Sequence, residues 1–316
     1  MDAATHGQGE TLLLEMTGIC KTYPENNVHA NQDVHFRVRE GEIHALVGEN
    51  GAGKTSLMKI LCGLEHPDRG TIRLRGQPVR FHSTRDAERH GIGMVHQQFS
   101  LIDDYSIADN IVLNREPVRG LFLYDRARAR RQVEDLSKRY GFAMDPAAMV
   151  GSLTVAEKQR VEILRVLFRG STLLVLDEPT SLLTEQEVRV FFAILRQLRE
   201  QNHTIIIITH KLDEVGQIAD RVTVMRAGRV VASCCETPGV DKASLARMMV
   251  GKEVILQVAR PPRAPGAPVL QVRNVCLRDP TRPQPLLNDV SFEVREGQVL
   301  GIAAVAGNGL GELEDA

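Results

Sequence analysis

One octapeptide groups residues that bind phosphate. Gly48-Glu49-Asn50-Gly51-Ala52-Gly53-Lys54-Thr55, followed by Ser56, matches G-x-x-x-x-G-K-[ST] in full. Glycines let a backbone curl until consecutive N–H groups converge on one anion, and a following helix N-terminus reinforces the site. Lys54 supplies a cation for the β- and γ-phosphates, and the Thr55 hydroxyl is suited to Mg2+. A second stretch, Leu173-Leu-Val-Leu-Asp177-Glu178-Pro179, ends an apolar run in two carboxylates. In open α/β sheets ligands lie at the carboxyl ends of strands. There Asp177 would hold Mg2+ through water, and Glu178 would polarise the attacking water as general base. A glycine-rich turn and a solvated acidic pair are the bland alternatives. The strand–loop–helix setting of the first motif, and its company with the second, weigh against both.

The elements that must hold these groups are legible from the apolar pattern. Short β-type segments fall at Leu12–Met16, Val34–Val38, Ile43–Val47 and Thr71–Leu74, and helical spacing covers Lys54–Leu61. From Ile107 to about Phe168 helix formers dominate, including Arg126–Arg139. Leu173–Leu176 and Ile205–Ile208 are continuous apolar runs, as expected of parallel strands covered on both faces. The helix between them carries Val188, Phe191, Phe192, Leu195 and Leu198 and opens with Thr184-x-x-Glu187, a capping box. Alternation of this kind predicts an α/β fold with a mostly parallel sheet. A second capping box, Thr154-x-x-Glu157, opens a helix over Val155–Phe168, and an uncovered helix start attracts anions.

Composition sets the frame. The chain has 316 residues, 39 Lys+Arg against 40 Asp+Glu, and a net charge of −1. No overall positive field draws it onto nucleic acid or lipid headgroups. Five cysteines follow no metal-ligand spacing, which predicts reduced, structural thiols. Nothing approaches the ~18 apolar residues of a membrane span, so a cytosolic chain is expected, with any membrane connection made through a partner.

The chain also repeats itself. Asp33-Val-His-Phe-Arg-Val-Arg-Glu-Gly41 recurs as Asp289-Val-Ser-Phe-Glu-Val-Arg-Glu-Gly297, an offset of 256 that also maps Leu14 onto Leu270, Cys20 onto Cys276 and Pro24 onto Pro280. The Pro- and Gly-rich stretch RPPRAPGAP (Arg260–Pro268) reads as a linker. The expected organisation is one full domain over 11–257, with a helical part at about 100–168, then a linker at 258–268. The opening of a second copy follows over 269–316, truncated before it can close a core. At the same offset the phosphate loop maps to Ala304-Val-Ala-Gly-Asn-Gly-Leu310-Gly311, where Leu310 and Gly311 replace the lysine and the hydroxyl.

These motifs, in this order, resemble the nucleotide-binding subunits of ATP-binding-cassette transporters. Nearest are the double-cassette ATPases of simple-sugar and nucleoside importers, which stretches such as His210-Lys-Leu-Asp-Glu214 and Met249-Val-Gly-Lys252 resemble. The resemblance implies a P-loop NTPase fold with a mixed core sheet, an N-terminal antiparallel β subdomain and a helical signature subdomain. It implies Mg2+ and ATP as ligands, with Tyr23 stacking on adenine, Gln97 touching Mg2+ and His210 contacting the γ-phosphate. The family signature stands here as Leu153-Thr154-Val155-Ala156-Glu157, which would contact ATP held by an opposite cassette. Ala156 departs from the family's glycine there, and Thr184 departs from a common aspartate. In a head-to-tail pair the weakened loop near Leu310 would face the weakened signature. One hydrolytic site and one structural site are therefore expected in a full-length protein.

Implied partners are transmembrane permease subunits, through them a solute-binding protein, and a second cassette, with no nucleic acid. The implied location is the cytoplasmic face of the cell membrane, reached only through the permease. Phe99–Asp104, with Phe99, Leu101 and Ile102 read as exposed, is the expected docking segment for a permease helix. Two other readings stay open: a truncated ATP-binding module that does not hydrolyse, and a soluble ATPase of the same superfamily acting on ribosomes or DNA.

Overall fold

The computed structural model describes residues 12–120, 123–237, 241–251, 265–278, 285–304 and 308–315. Most of the stretch read as a linker therefore lies outside the described residues. The chain divides into two compact units, Met1–Val254 and Ile255–Ala316.

In the first unit the order begins β1 (Leu12–Tyr23), β2 (Val28–Arg39), β3 (Ile43–Val47), α1 (Lys54–Leu61), β4 (Arg69–Leu74), β5 (Gln77–Val79), α2 (Thr84–Arg89) and β6 (Ile92–Val95). There follow α3 (Ile107–Val112), a small hairpin of β7 (Val118–Arg119) and β8 (Leu123–Tyr124), α4 (Arg126–Arg139) and α5 (Val155–Phe168). The unit closes with β9 (Leu173–Asp177), α6 (Glu185–Glu200), β10 (Thr204–Thr209), α7 (Leu212–Ile218), β11 (Arg221–Arg226), β12 (Arg229–Glu236) and α8 (Lys242–Val250).

The core sheet runs β12-β11-β3-β10-β9-β6, parallel except where β12 pairs antiparallel with β11. An antiparallel sheet, β2-β1-β4-β5, stands beside it. The fold is thus α/β with a mixed sheet and antiparallel N-terminal strands. Register explains where chemistry gathers: Thr209 pairs with Val47 and Ile208 with Asp177. The loops after β3, β9 and β10 therefore leave the sheet at one edge.

Strands β3, β9 and β10 are buried throughout, which is why Leu173–Leu176 and Ile205–Ile208 are continuous apolar runs rather than alternating ones; in β3 the buried His44 is bonded to Glu42 and Thr223. On one face α3, α4, α5 and α6 build a core around Ile111, Leu164, Phe192 and Leu195. The other face packs α1 and the antiparallel sheet through Leu57, Leu61, Phe36 and Met16.

Two differences from expectation have local causes. Strands β1 and β2 run 12 residues each, past the segments Leu12–Met16 and Val34–Val38. Bulges interrupt their pairing, with Gly18 at φ +65° and Asp33 at φ +53°, so the period-two alternation breaks although the ladder resumes. The β7–β8 hairpin falls in a stretch read only as helix-rich; its strands are two residues each and exposed, too short for an alternation to register.

The second unit contains β13 (Pro268–Leu277) and β14 (Leu287–Arg295), paired antiparallel, and α9 (Leu310–Asp315). It reproduces the start of the first in detail. Asp289 has φ +54° as Asp33 has +53°. The Asp33 N–H donates to Cys20 Sγ at 3.3 Å, and the Asp289 N–H to Cys276 Sγ at 3.2 Å. Shifts in the β13 register fall at the counterparts of those in β1. Residues 305–307 of the loop read as degenerate lie outside the described residues, but α9 starts at Leu310, the counterpart of Lys54.

Candidate functional site

The loop Gly48–Gly53 joins β3 to α1, and its first and last glycines are steric requirements. A Cβ on Gly53 would sit 2.0 Å from the Ala30 carbonyl oxygen, and one on Gly48 would sit 2.3 Å from that of Met225. Gly53 also takes φ +95° as the residue opening the helix. Buried Asn31 fixes the loop from β2, its side-chain amide donating to the Gly53 carbonyl at 3.1 Å. Its Oδ1, also buried, has no partner.

Lys54 is only 6% exposed, and its ammonium donates to the carbonyls of Gly48 (2.7 Å) and Glu49 (2.9 Å) in its own loop. Burial lowers its pKa, opposed by the negative charges of Glu178 and Asp177. Asp177, the last residue of β9, is held above the usual carboxylate range by burial, with Glu178's charge adding and a hydrogen bond from Thr55 opposing. A buried cation at the start of α1, on a loop that must present bare backbone at Gly48 and Gly53, fits a phosphate. A hydroxyl bonded to a neighbouring carboxylate is the hard-oxygen donor set that Mg2+ takes.

Glu178 adopts φ +45°, unusual for a residue with a side chain, and its N–H donates to the Ile208 carbonyl at 3.0 Å. Its carboxylate lies between two groups from neighbouring strand ends. Oε1 is 2.9 Å from His210 Nδ1, so that nitrogen carries the proton shared with it, and Oε2 accepts from Gln97 Nε2 at 3.2 Å. Gln97 follows β6, Glu178 follows β9 and His210 follows β10. The three residues thus meet because their strands are successive in the sheet.

Other candidate residues lie apart. Tyr23 ends β1 opposite Val28, with the Lys21 ammonium 5.3 Å from its ring centre. Thr154 caps α5 with both halves of the capping box present, and its hydroxyl donates to Glu157 at 2.9 Å. Bonds from the Thr154 amide and hydroxyl hold the Glu157 carboxyl below its usual pKa. Leu153 packs on the helical core, and Val155 is 38% exposed. Among the described residues, no hydrogen bond or ion pair links Leu153–Glu157 to the loop, to Asp177 or to Glu178.

The segment Phe99–Asp104 departs from expectation. Leu101 is not exposed but packs against the helical core, and Phe99 is half-buried; Ile102 is 38% exposed. Two buried polar residues strap the segment down. Glu162 accepts the Ser100 N–H at 2.8 Å, and Asn110 accepts the Ile102 N–H at 2.8 Å and donates to its carbonyl at 3.0 Å. Sequence reasoning also missed Asn31, Thr180 and Glu214, all buried beside the site. Of these, only Glu214 stood in a quoted stretch, and nothing there signalled burial.

With this geometry in place, comparisons identify the class. The family model described as ABC transporter matches residues 31–181. The chain is 42% identical, over 96% of its length, to the guanosine import ATP-binding protein NupO of Bacillus subtilis, of which it covers 59%. It is 44% identical, also over 96%, to a glucose import ATP-binding protein of Haloferax volcanii, of which it covers 59%. It thus spans less than two thirds of the length of these curated relatives. Among solved structures, cbiO1 from Clostridium perfringens, part of the ABC transporter complex cbiONQ, superposes with a TM-score of 0.64 at 27% identity, over 75% of this chain and 94% of that one. An ATP-binding cassette of an ABC transporter in its ADP conformation gives 0.66 at 18% identity, over 76% of this chain and 99% of that one. Residues 31–181 thus match an ABC transporter domain, and the chain is similar to the ATP-binding proteins of such transporters.

Proposed function

We propose that this chain is the ATP-binding and ATP-hydrolysing part of an importer for a simple sugar or nucleoside. The observation that carries the reading is Glu178 held between Gln97 and His210 beside the Lys54 loop. The N–H groups of Gly48–Gly53 and the Lys54 ammonium bind the triphosphate, exchanging the two loop carbonyls for phosphate oxygens. Thr55, Asp177 through water, and Gln97 would hold Mg2+, which when bound neutralises phosphate charge. Glu178 takes the proton of the attacking water, and His210 orients that carboxylate and faces the γ-phosphate. Tyr23 stacks on adenine. Positioning and charge stabilisation supply most of the acceleration in phosphoryl transfer.

The names of the relatives support import of sugars or nucleosides. On this reading permease subunits provide the translocation path, with a solute-binding protein acting through them; among the described residues no helix is long and apolar enough to cross a membrane. A second cassette completes each nucleotide site, with Leu153–Glu157 contacting ATP on the opposite cassette. The domain limits 11–257, 258–268 and 269–316 belong to the same reading.

A second reading, a nucleotide-binding module without turnover, is favoured by Leu310 and Gly311 at the counterparts of Lys54 and Thr55, and by Ala156 in the signature. Calorimetry with MgATP and a phosphate-release assay separate the two. Binding with release that Glu178→Gln lowers by about 100-fold or more supports hydrolysis. Binding without release supports the module, and no binding by folded protein ends both readings.

A further inference from the structure

Glu214 is 8% exposed and belongs to none of the groups used above. A carboxylate that deep needs partners. Its partners sit on the two strand ends that carry Glu178 and His210. Thr180 Oγ1 donates to Glu214 at 2.6 Å, Thr209 Oγ1 makes a longer contact of 3.5 Å, and the Lys211 ammonium lies 3.3 Å away. Lys211 closes the ring, its ammonium donating to the Thr180 carbonyl at 2.9 Å and its N–H to Thr209 Oγ1 at 3.0 Å. Thr180 and Thr209 are 1% and 3% exposed. Thr209 and Lys211 flank His210, and Thr180 stands two residues after Glu178.

We infer that Glu214 is a positioning residue whose bonds to Thr180 and Lys211 lock the β9 and β10 loop ends together and so set the contact between Glu178 and His210. The left-handed backbone of Glu178 makes such a lock necessary. A non-glycine residue stays at φ +45° only where its surroundings over-determine it. Its own N–H bond to Ile208 fixes the start of the turn, and the Thr180–Glu214 bond fixes the end. Cutting the second anchor lets the turn relax, and the 2.9 Å contact to His210 opens. The competing role is local. Glu214 lies in the first turn of α7, where a carboxylate favours the helix without touching Glu178.

The inference rests on the roles proposed for Glu178 and His210, so its test includes a readout independent of turnover. In the full chain labelled with 15N-histidine, His210 ring signals are assigned by their loss in His210→Ala. In Glu214→Ala and in Thr180→Val, which keeps shape but lacks the hydroxyl, the His210 Nδ1 signal is expected to move to its position in Glu178→Ala, where the acceptor is gone. Thr180→Ser, which keeps the hydroxyl, restores the wild-type signal. ATP turnover falls about tenfold to a hundredfold in the first two variants while MgATP affinity changes less than about twofold. His210 signals that stay at wild-type positions in folded Thr180→Val overturn the inference, whatever the turnover. A wild-type chain that shows no turnover sinks the hydrolytic reading instead, and the ring signals still decide the positioning role.

Discussion

At the scale of single residues, the site is a set of charges held out of water, and two predictions follow from that. Lys54 is a buried cation whose only described hydrogen bonds go to carbonyls of its own loop. A phosphate would replace neutral acceptors with charged ones, so Lys54→Ala removes a charge-assisted interaction of about 1.5–3 kcal/mol. MgATP affinity measured by calorimetry should fall about ten- to a hundredfold, with the loop otherwise intact. Asp177 is the opposite case. Burial, with Glu178's charge adding, raises its folded-state pKa, so the folded chain disfavours the carboxylate. A raised pKa means stability is greatest below the unfolded value and declines as pH rises through the folded one. Asp177→Asn, which still accepts from Thr55, should therefore raise the melting temperature of the nucleotide-free chain at pH 7, by about 2–4 °C per kcal/mol of desolvation relieved. The gain should vanish in melts run below the pKa of an ordinary aspartate, where both forms are neutral. Mg2+-dependent ATP turnover should be lost in the same variant.

At the scale of elements, what was legible depended on whether the signal was local. Lys54–Leu61, Arg126–Arg139 and Val155–Phe168 are read to the residue because periodicity and caps lie within each segment. The capping box at Thr154 is present as its spacing demands, so Thr154→Ala should cost about 1 kcal/mol in denaturant unfolding. Long-range polar ties have no such signature. Glu162 reads as an ordinary helical glutamate, yet it is 1% exposed and accepts the Ser100 N–H. This tie, with Asn110, is why the segment containing Leu101 lies against the core rather than open to a partner. Breaking a buried ion pair costs up to about 3–5 kcal/mol, less here because Arg165 keeps its bonds to Ser100. Glu162→Ala should show a loss below that limit and faster hydrogen exchange at the Ser100 and Ile102 amides. Unchanged exchange at those amides would mean that Asn110 and the packing of Leu101 hold the segment alone.

At the scale of the whole molecule, repetition was the most legible feature and burial the least. An offset of 256 predicted the opening strands of a second copy, and β13–β14 repeats β1–β2 down to the bulges and left-handed residues. What the sequence could not convey is how differently the two copies are covered. Leu14 is 0% exposed and its counterpart Leu270 is 49% exposed; Leu46 is 0% and its counterpart Ile302 is 49%. In the first unit those positions are sealed by α1, β4 and the core sheet, whereas the described part of the second unit has only the hairpin and a short helix. Every member of the three apolar cores comes from residues 13–249. Burial of apolar area dominates folding free energy, so the stability of the first unit should not depend on the second. A chain ending at Val254 should melt within about 2 °C of the 316-residue chain, less than 1 kcal/mol would produce. It should also bind less of a dye that reports exposed apolar surface, because Leu270, Val299 and Ile302 are gone. A marked fall in melting temperature would overturn this independence.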